Sequence, residues 1–337
     1  MITIIAEIAQ AHEGSLGIAH SYIDALASCG VDAVKFQTHI AEAESSVHEQ
    51  FRVNFSYEDA TRYDYWKRME FTPEQWLGLK KHCDDKNVEF MSSPFSVAAF
   101  NCLESIGVKR YKIGSGELNN YLMLDAIGKT KKPIILSSGM SDWNELDETI
   151  SFLKPYSSPI SLLQCTTAYP TQPEQWNLGV MQTMKERYKI PVGFSDHSSE
   201  IYACLAAATL GAEILEFHAV YDSQMFGPDA KASLTLNQIK DLVKGVRMIE
   251  ISLNSSESKD DASSFNQLKT MFGKSLAVNR DIKEGEIIKI EDLESKKPGN
   301  LGISAKNFSK VVGKKSLTEL KKGMFVTLEN IETIEDF

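Results

Sequence analysis

The chain has little that would place it outside the cell or across a membrane. Its five cysteines, Cys29, Cys83, Cys102, Cys165 and Cys204, are odd in number, scattered and free of CxxC pairing. That argues against a disulfide framework or a structural zinc site and for reduced thiols. No run of apolar residues approaches the ~20 needed for a membrane span. The apolar start Met1-Ile-Thr-Ile-Ile-Ala lacks a basic lead and is cut short by Glu7, so it does not read as a secretion signal. Lysine and arginine form no cluster, and the formal net charge is −10, which opposes a polyanionic partner; nucleic acid is set aside. A cytoplasmic enzyme acting on small metabolites is the expectation.

What is present is ample core material: 42% hydrophobic and 24% charged residues exclude a disordered chain. At 337 residues the length fits one large and one small domain. Short β-branched runs alternate with amphipathic stretches, the pattern of βα units on a parallel sheet. Candidate strands are Ile2–Ala6, Ala33–Phe36, Glu89–Met91, Tyr111–Ile113, Pro133–Leu136, Ser161–Gln164, Pro191–Phe194 and Glu213–Phe217. Between them fall helical patterns: Leu16–Cys29 after Ser15 as N-cap, Pro73–Lys86 after Thr72, and Ile201–Leu210. Eight repeats over roughly 250 residues fit a (β/α)8 TIM barrel, with an open doubly wound sheet as the alternative. The expected organisation is a barrel over residues 1–255, a linker over 256–272 that begins within the polar LNSSESKDDASS stretch (Leu253–Ser264), and a small β-rich domain over 273–337. The similar DIKEGEIIKIEDL and ELKKGMFVTLENI suggest pseudo-symmetry within that domain.

In such a barrel the chemistry lies just beyond the C-terminal ends of the strands. Polar residues concentrate there. Lys35 and Lys112, with Ser93, Ser115, Ser137 and Ser195 on nearby strands, supply positive charge and hydroxyl donors able to enclose a phosphate. Either lysine alone would read as a side chain reaching the barrel rim; the set favours the anion site. His197 and His218 end the last two strands. They are read either as hydrogen-bonded rim residues or as ligands of a divalent metal with positions left open for substrate. Glu13 and Glu117 are carboxylates suited to proton transfer or to helix capping, and Glu13, in a short glycine-containing loop, is the first choice as catalyst.

The motifs HEGS, VKFQT, SSPFS, KIGSGE, LSSGM, QCTTAYP, GFSDH and LEFH, followed by GPD and KASL, run in order along the barrel. They resemble the sialic acid synthase (N-acetylneuraminate synthase) family, and the tail from about Leu276 resembles that family's antifreeze-like (SAF) domain. The resemblance implies condensation of phosphoenolpyruvate with an N-acetylmannosamine-type sugar to give a nonulosonic acid and phosphate, with C–O cleavage. It implies that Lys35, Ser93, Lys112, Ser115, Ser137 and Ser195 hold phosphoenolpyruvate, and that His197 and His218 bind Mn2+ or Mg2+. Glu13 would be the acid/base, Glu117 would assist, and Gln37, Phe95, Tyr169 and Asp229 would line the sugar side. It further implies a homodimer in which the tail covers the partner's barrel mouth and an Arg of an RPG motif meets the acyl amide. This chain has Lys297 there, a point charge in place of a planar fork. The acceptor is accordingly open: a legionaminic or pseudaminic acid precursor and an unmodified hexose are the alternatives. From other classes, a non-catalytic sugar-binding barrel and a lysine Schiff-base aldolase on Lys112 also compete.

Overall fold

The structure is a computed structural model that describes residues 1–53, 55–255 and 259–333. It divides into two compact units, Met1–Ser255 and Ser256–Phe337. In the first, eight strands run parallel: β1 Thr3–Ala9, β2 Ala33–Thr38, β3 Glu89–Pro94, β4 Tyr111–Ile113, β5 Ile134–Ser137, β6 Ile160–Cys165, β7 Val192–Asp196 and β8 Ile214–Val220. The hydrogen-bonded order is β3-β2-β1-β8-β7-β6-β5-β4, so first and last strands are neighbours and the sheet curls into a nearly closed TIM-like barrel. No ladder joins β3 to β4 among the described residues. The doubly wound alternative is excluded by the β1–β8 ladder, which pairs Ile5 with Glu216 and Glu7 with His218.

Side chains alternate across a strand with period two. One set, including Ile4, Val34, Phe36, Tyr111, Leu136, Phe194 and Phe217, packs outward into the main core with the helices. The other set faces the barrel axis, where Ile5, Ala33, Met91, Ile135, Leu163 and Ile214 form a separate apolar plug. Two residues further along each strand the inward positions turn polar, as Glu7, Lys35, Ser93, Ser137, Ser195 and Glu216. The plug is the floor, and the polar layer above it is the base of a cleft. Gly193 lies at plug level on β7: a Cβ there would come 2.2 Å from the Ile214 carbonyl oxygen. Only glycine admits that approach.

The helices begin where capping chemistry predicts. Ser15 accepts from the Ile18 amide at the start of α1, Leu16–Cys29, which ends at Gly30 with φ 84°. Thr72 and Gln75 form a capping box at Pro73–Asp85. Two helices between β2 and β3, Ala41–Glu44 and Arg62–Met69, bracket a long excursion over the strand ends. The sequence reading did not anticipate either, because the intervening stretch is polar and lacks periodicity.

The second unit is organised around Leu276, Val278, Ile282, Ile288, Ile303, Val311, Leu320, Val326 and Ile331. Strand Ser275–Val278 pairs antiparallel with Leu293–Lys296. Gly285 and Gly323 both take positive φ, and Ile282 bridges Leu320, which gives the sequence repeat a structural counterpart. Part of the expected linker is helical, Asn266–Phe272, while residues 256–258 lie outside the described residues, as do 334–337 at the expected end of the small domain. Among the described residues no helix is long and apolar enough to cross a membrane.

Candidate active site

A cleft of about 360 Å³ opens at the C-terminal ends of the barrel strands. It gathers thirteen of the expected site residues: Lys35, Gln37, Ser93, Phe95, Lys112, Ser115, Glu117, Ser137, Tyr169, Ser195, His197, His218 and Asp229. These lie on β2 to β8 and the loops that follow, so the fold, not sequence proximity, unites them. Glu13 and Lys297 are not among the lining residues. Glu13 turns away in a loop of positive φ, where Arg68 Nη1 donates to its Oε2 at 2.9 Å, and its half-buried carboxyl is raised above its usual value by burial. Lys297 belongs to the second unit, with its ammonium 5.0 Å from the Phe272 ring centre.

The floor is a buried charge network that includes two carboxylates the sequence reading left without a role. Lys35 is ion-paired with Glu7 and lies 3.7 Å from Glu216 Oε1, and Lys112 lies 3.3 Å from the same oxygen. Lys112 donates to Ser137 Oγ at 2.7 Å and Lys35 to Ser93 Oγ at 3.4 Å, while Ser195 donates to Glu216 at 3.3 Å. Burial alone would raise the Glu7 carboxyl, but Lys35, His218 and Lys112 outweigh it and hold it well below its usual value. Burial alone would lower the Lys35 ammonium, but Glu216 and Glu7 outweigh it and raise it. Glu216 Oε2 is buried and makes no hydrogen bond to the described residues. The signal that would have found both acids is a lone charge inside an apolar strand, IIAEIA and ILEFHA, at an inward position.

A relay leads from Glu7 to the cleft wall. Glu7 accepts from Gln37, Gln37 accepts from Gln10 at 2.6 Å, and Gln10 meets His39 Nε2 at 2.8 Å. His39 Nδ1 in turn contacts Glu44, and its ring is sandwiched between Trp66 and Phe95. Glu117 sits on the same side; burial, opposed by a 2.7 Å hydrogen bond from Asn120, raises its carboxyl above the usual range. Two carboxyls of one cleft are thus displaced in opposite directions.

Opposite lie the histidines, their rings 5.2 Å apart. His197 Nδ1 donates to the Thr166 carbonyl oxygen at 3.0 Å, which leaves the Nε2 lone pair free for another partner in the neutral ring. His218 Nδ1 stands 4.0 Å from Asp229. Among the described residues no three or more His, Cys, Asp or Glu side chains could together hold a metal. The pair fits a cation that takes two protein ligands and completes its shell with water or substrate.

This geometry defines a TIM barrel whose cleft sets two buried lysines and two carboxylates beside two imidazoles. The NeuB family profile matches residues 22–258 and the SAF domain profile residues 273–332, and the chain belongs to the NeuB family. It is 34% identical to N,N'-diacetyllegionaminic acid synthase of Legionella pneumophila, with 98% of this chain and 94% of the relative covered. It is 31% identical to human N-acetylneuraminate-9-phosphate synthase, covering 98% of this chain and 90% of that one. A crystal structure of N-acetylneuraminic acid (sialic acid) synthetase from Leptospira borgpetersenii, in complex with citrate, superposes with a TM-score of 0.69 at 32% identity, over 79% of this chain and 90% of the other.

Proposed function

We propose that this enzyme joins phosphoenolpyruvate to the open-chain aldehyde of an acylamino hexose, giving a nonulosonic acid and inorganic phosphate. The observation that carries the reading is the floor: Lys35 and Lys112, nearly fully buried, aimed with Ser93, Ser137 and Ser195 at one end of a cleft of substrate size. Buried ammonium groups ringed by hydroxyls suit a small polyanion, whose phosphate and carboxylate oxygens would accept from the lysine and serine donors. The names of the Legionella and human relatives, synthases of N,N'-diacetyllegionaminic acid and of N-acetylneuraminate 9-phosphate, support the same product class.

The bookkeeping of the reaction assigns the acids. C3 of phosphoenolpyruvate bonds to the aldehyde carbon, and the aldehyde oxygen takes a proton. Water adds at C2 and loses one proton; the C2 hydroxyl then gives up its remaining proton to the departing phosphate as the keto group forms, and phosphate leaves with the electron pair of the C2–O bond. One group must hold a proton and another must be ready to accept one. Glu7, kept ionised, suits the base that orients the water; Glu117, raised by burial, suits the acid at the new hydroxyl. Glu7 thereby takes the part that the sequence reading gave to Glu13, whose carboxylate is bound to Arg68 away from the cleft. Manganese or magnesium held by His197 and His218 would supply Lewis-acid polarisation of the acceptor carbonyl oxygen.

The acceptor stays a class, sialic, legionaminic or pseudaminic type. Phosphate release from phosphoenolpyruvate with manganese, in parallel with N-acetylmannosamine, a diacetamido hexose, mannose and no sugar, tests the reading. Release that depends on an acylated sugar establishes it; none with any acceptor overturns it. The Schiff-base alternative meets a Lys112 already engaged with Ser137 and Glu216. Borohydride trapping of an adduct on Lys112 would restore it.

A further inference from the structure

The pole of the cleft away from the lysines carries a cation that the catalytic reading leaves unused. Arg52 lies in the excursion between Ala41–Glu44 and Arg62–Met69 and lines the cleft. Its Nη2 donates to Asp229 Oδ1 at 2.8 Å, and its guanidinium carbon stands 4.2 Å from the centre of the Tyr169 ring. Tyr169 itself packs 4.2 Å from the His197 ring, and Asp229 is the acid nearest His218. Arg52 is thus the outermost member of a stack that ends on both imidazoles. Its side chain is 41% exposed, against 18% for Asp229, so it is the member that an incoming molecule meets.

Its neighbour Arg62 differs: that guanidinium lies over Trp66 at 4.5 Å and pairs with Glu49. Arg52 makes no hydrogen bond besides the one to Asp229 among the described residues, so most of its five N–H donors remain available. Val53, next to it in the chain, and Phe55 in the same excursion add apolar lining to the cleft. A planar donor fork next to apolar surface matches a carbonyl oxygen that carries a methyl group, the shape of an acylamino substituent.

We propose that Arg52 is a specificity-determining residue that donates to the acyl-amide oxygen of the acceptor sugar while keeping the Asp229 carboxylate turned toward the sugar hydroxyls. The assignment rests on the synthase reading. It places the selection of acylated over plain hexose in the barrel's own excursion.

The test compares wild type with Arg52→Ala and Arg52→Lys, measuring phosphate release at saturating phosphoenolpyruvate with N-acetylmannosamine, a diacetamido hexose and mannose. Loss of a charged donor to one substituent is expected to cut the preference for the acylated sugar over mannose, as a ratio of kcat/KM, by about 10- to 100-fold. The KM for phosphoenolpyruvate should shift by less than about two-fold, since the lysine pole is separate. Arg52→Lys should recover little of the preference, because an ammonium lacks the fork. A preference ratio unchanged in both variants, or phosphoenolpyruvate and acceptor KM values rising together, overturns the proposal. Wild-type turnover on mannose alone overturns it as well. Wild-type protein that releases no phosphate with any sugar instead removes the synthase reading on which it rests. Arg52→Lys retains the charge beside Asp229, so it guards against a result caused by misfolding, and thermal unfolding of both variants verifies this.

Discussion

Two glutamates, six residues apart in sequence, should behave in opposite ways when each loses its charge. Glu7→Gln keeps the shape and an oxygen that can still accept from Gln37 and Lys35, but removes the base from the cleft floor. If Glu7 handles a proton in the reaction, turnover should fall by about 10²–10⁴-fold. It should also cost stability, because Glu216 alone then faces the buried ammonium groups of Lys35 and Lys112, so turnover is compared at a temperature where both variants are folded. Glu13→Gln weakens one charged hydrogen bond to Arg68, which retains two nitrogens on Asp59 at 2.8 to 3.2 Å. A charged hydrogen bond contributes about 1.5–3 kcal/mol, and the partly exposed setting and surviving partners reduce the loss to about 1 kcal/mol. That corresponds to a drop of about 2–4 °C in Tm for a unit of this size, with turnover reduced less than about ten-fold. Continuous phosphate release with saturating substrates and manganese, alongside thermal unfolding, separates the two. Near-normal turnover in Glu7→Gln together with abolished turnover in stable Glu13→Gln would refute the assignment.

Exhaustive chelation should remove activity and manganese or magnesium should restore it, and His197→Ala or His218→Ala should lose both turnover and bound metal by elemental analysis; activity that survives chelation removes the metal from the reading. Stability should depend on acid through Glu7, whose folded value lies below its ordinary 4.5. The unfolded chain then binds the proton more readily, so the contribution is complete above the ordinary value and is lost as pH falls through it toward the depressed folded value. Urea midpoints between pH 6 and 3 should fall more steeply for wild type than for Glu7→Gln, and parallel curves would contradict this. Gly193→Ala should cost about 1–3 kcal/mol in chemical denaturation, because its Cβ would meet the Ile214 carbonyl oxygen and Leu163 at 2.2 and 2.7 Å. Light scattering should give about twice the 37.6 kDa chain mass if the protein is the homodimer its family resemblance implies, and a monomer mass would refute that.

Much of this was legible without coordinates. Short β-branched apolar runs set the strands, and Ser15 and Thr72 set helix starts through local hydrogen bonds, so α1 falls where the sequence puts it. The rule that barrel chemistry follows strand ends then collected the lysines, serines and histidines of the cleft. The excursion from Ala41 to Met69 was not legible, since its helices are held by caps and packing partners supplied from elsewhere. Tyr65, Trp66 and Met69, for example, form their own small cluster with Ala41.

Glu7 and Glu13 show where sequence stops. In one dimension Glu7 is only an interruption of an apolar run, and Glu13 is a carboxylate in a promising loop. The pairing of β1 with β2 sets Glu7 opposite Lys35, and β8 brings His218 to its other side, contacts that depend on register across the sheet. Glu13 is turned aside by Arg68, which lies 55 residues further along the chain. The barrel strands and the capped helices were legible because their causes are local: apolar runs and capping. Which carboxylate lines the cleft was decided by strand register and a long-range ion pair, and neither exists until the barrel closes.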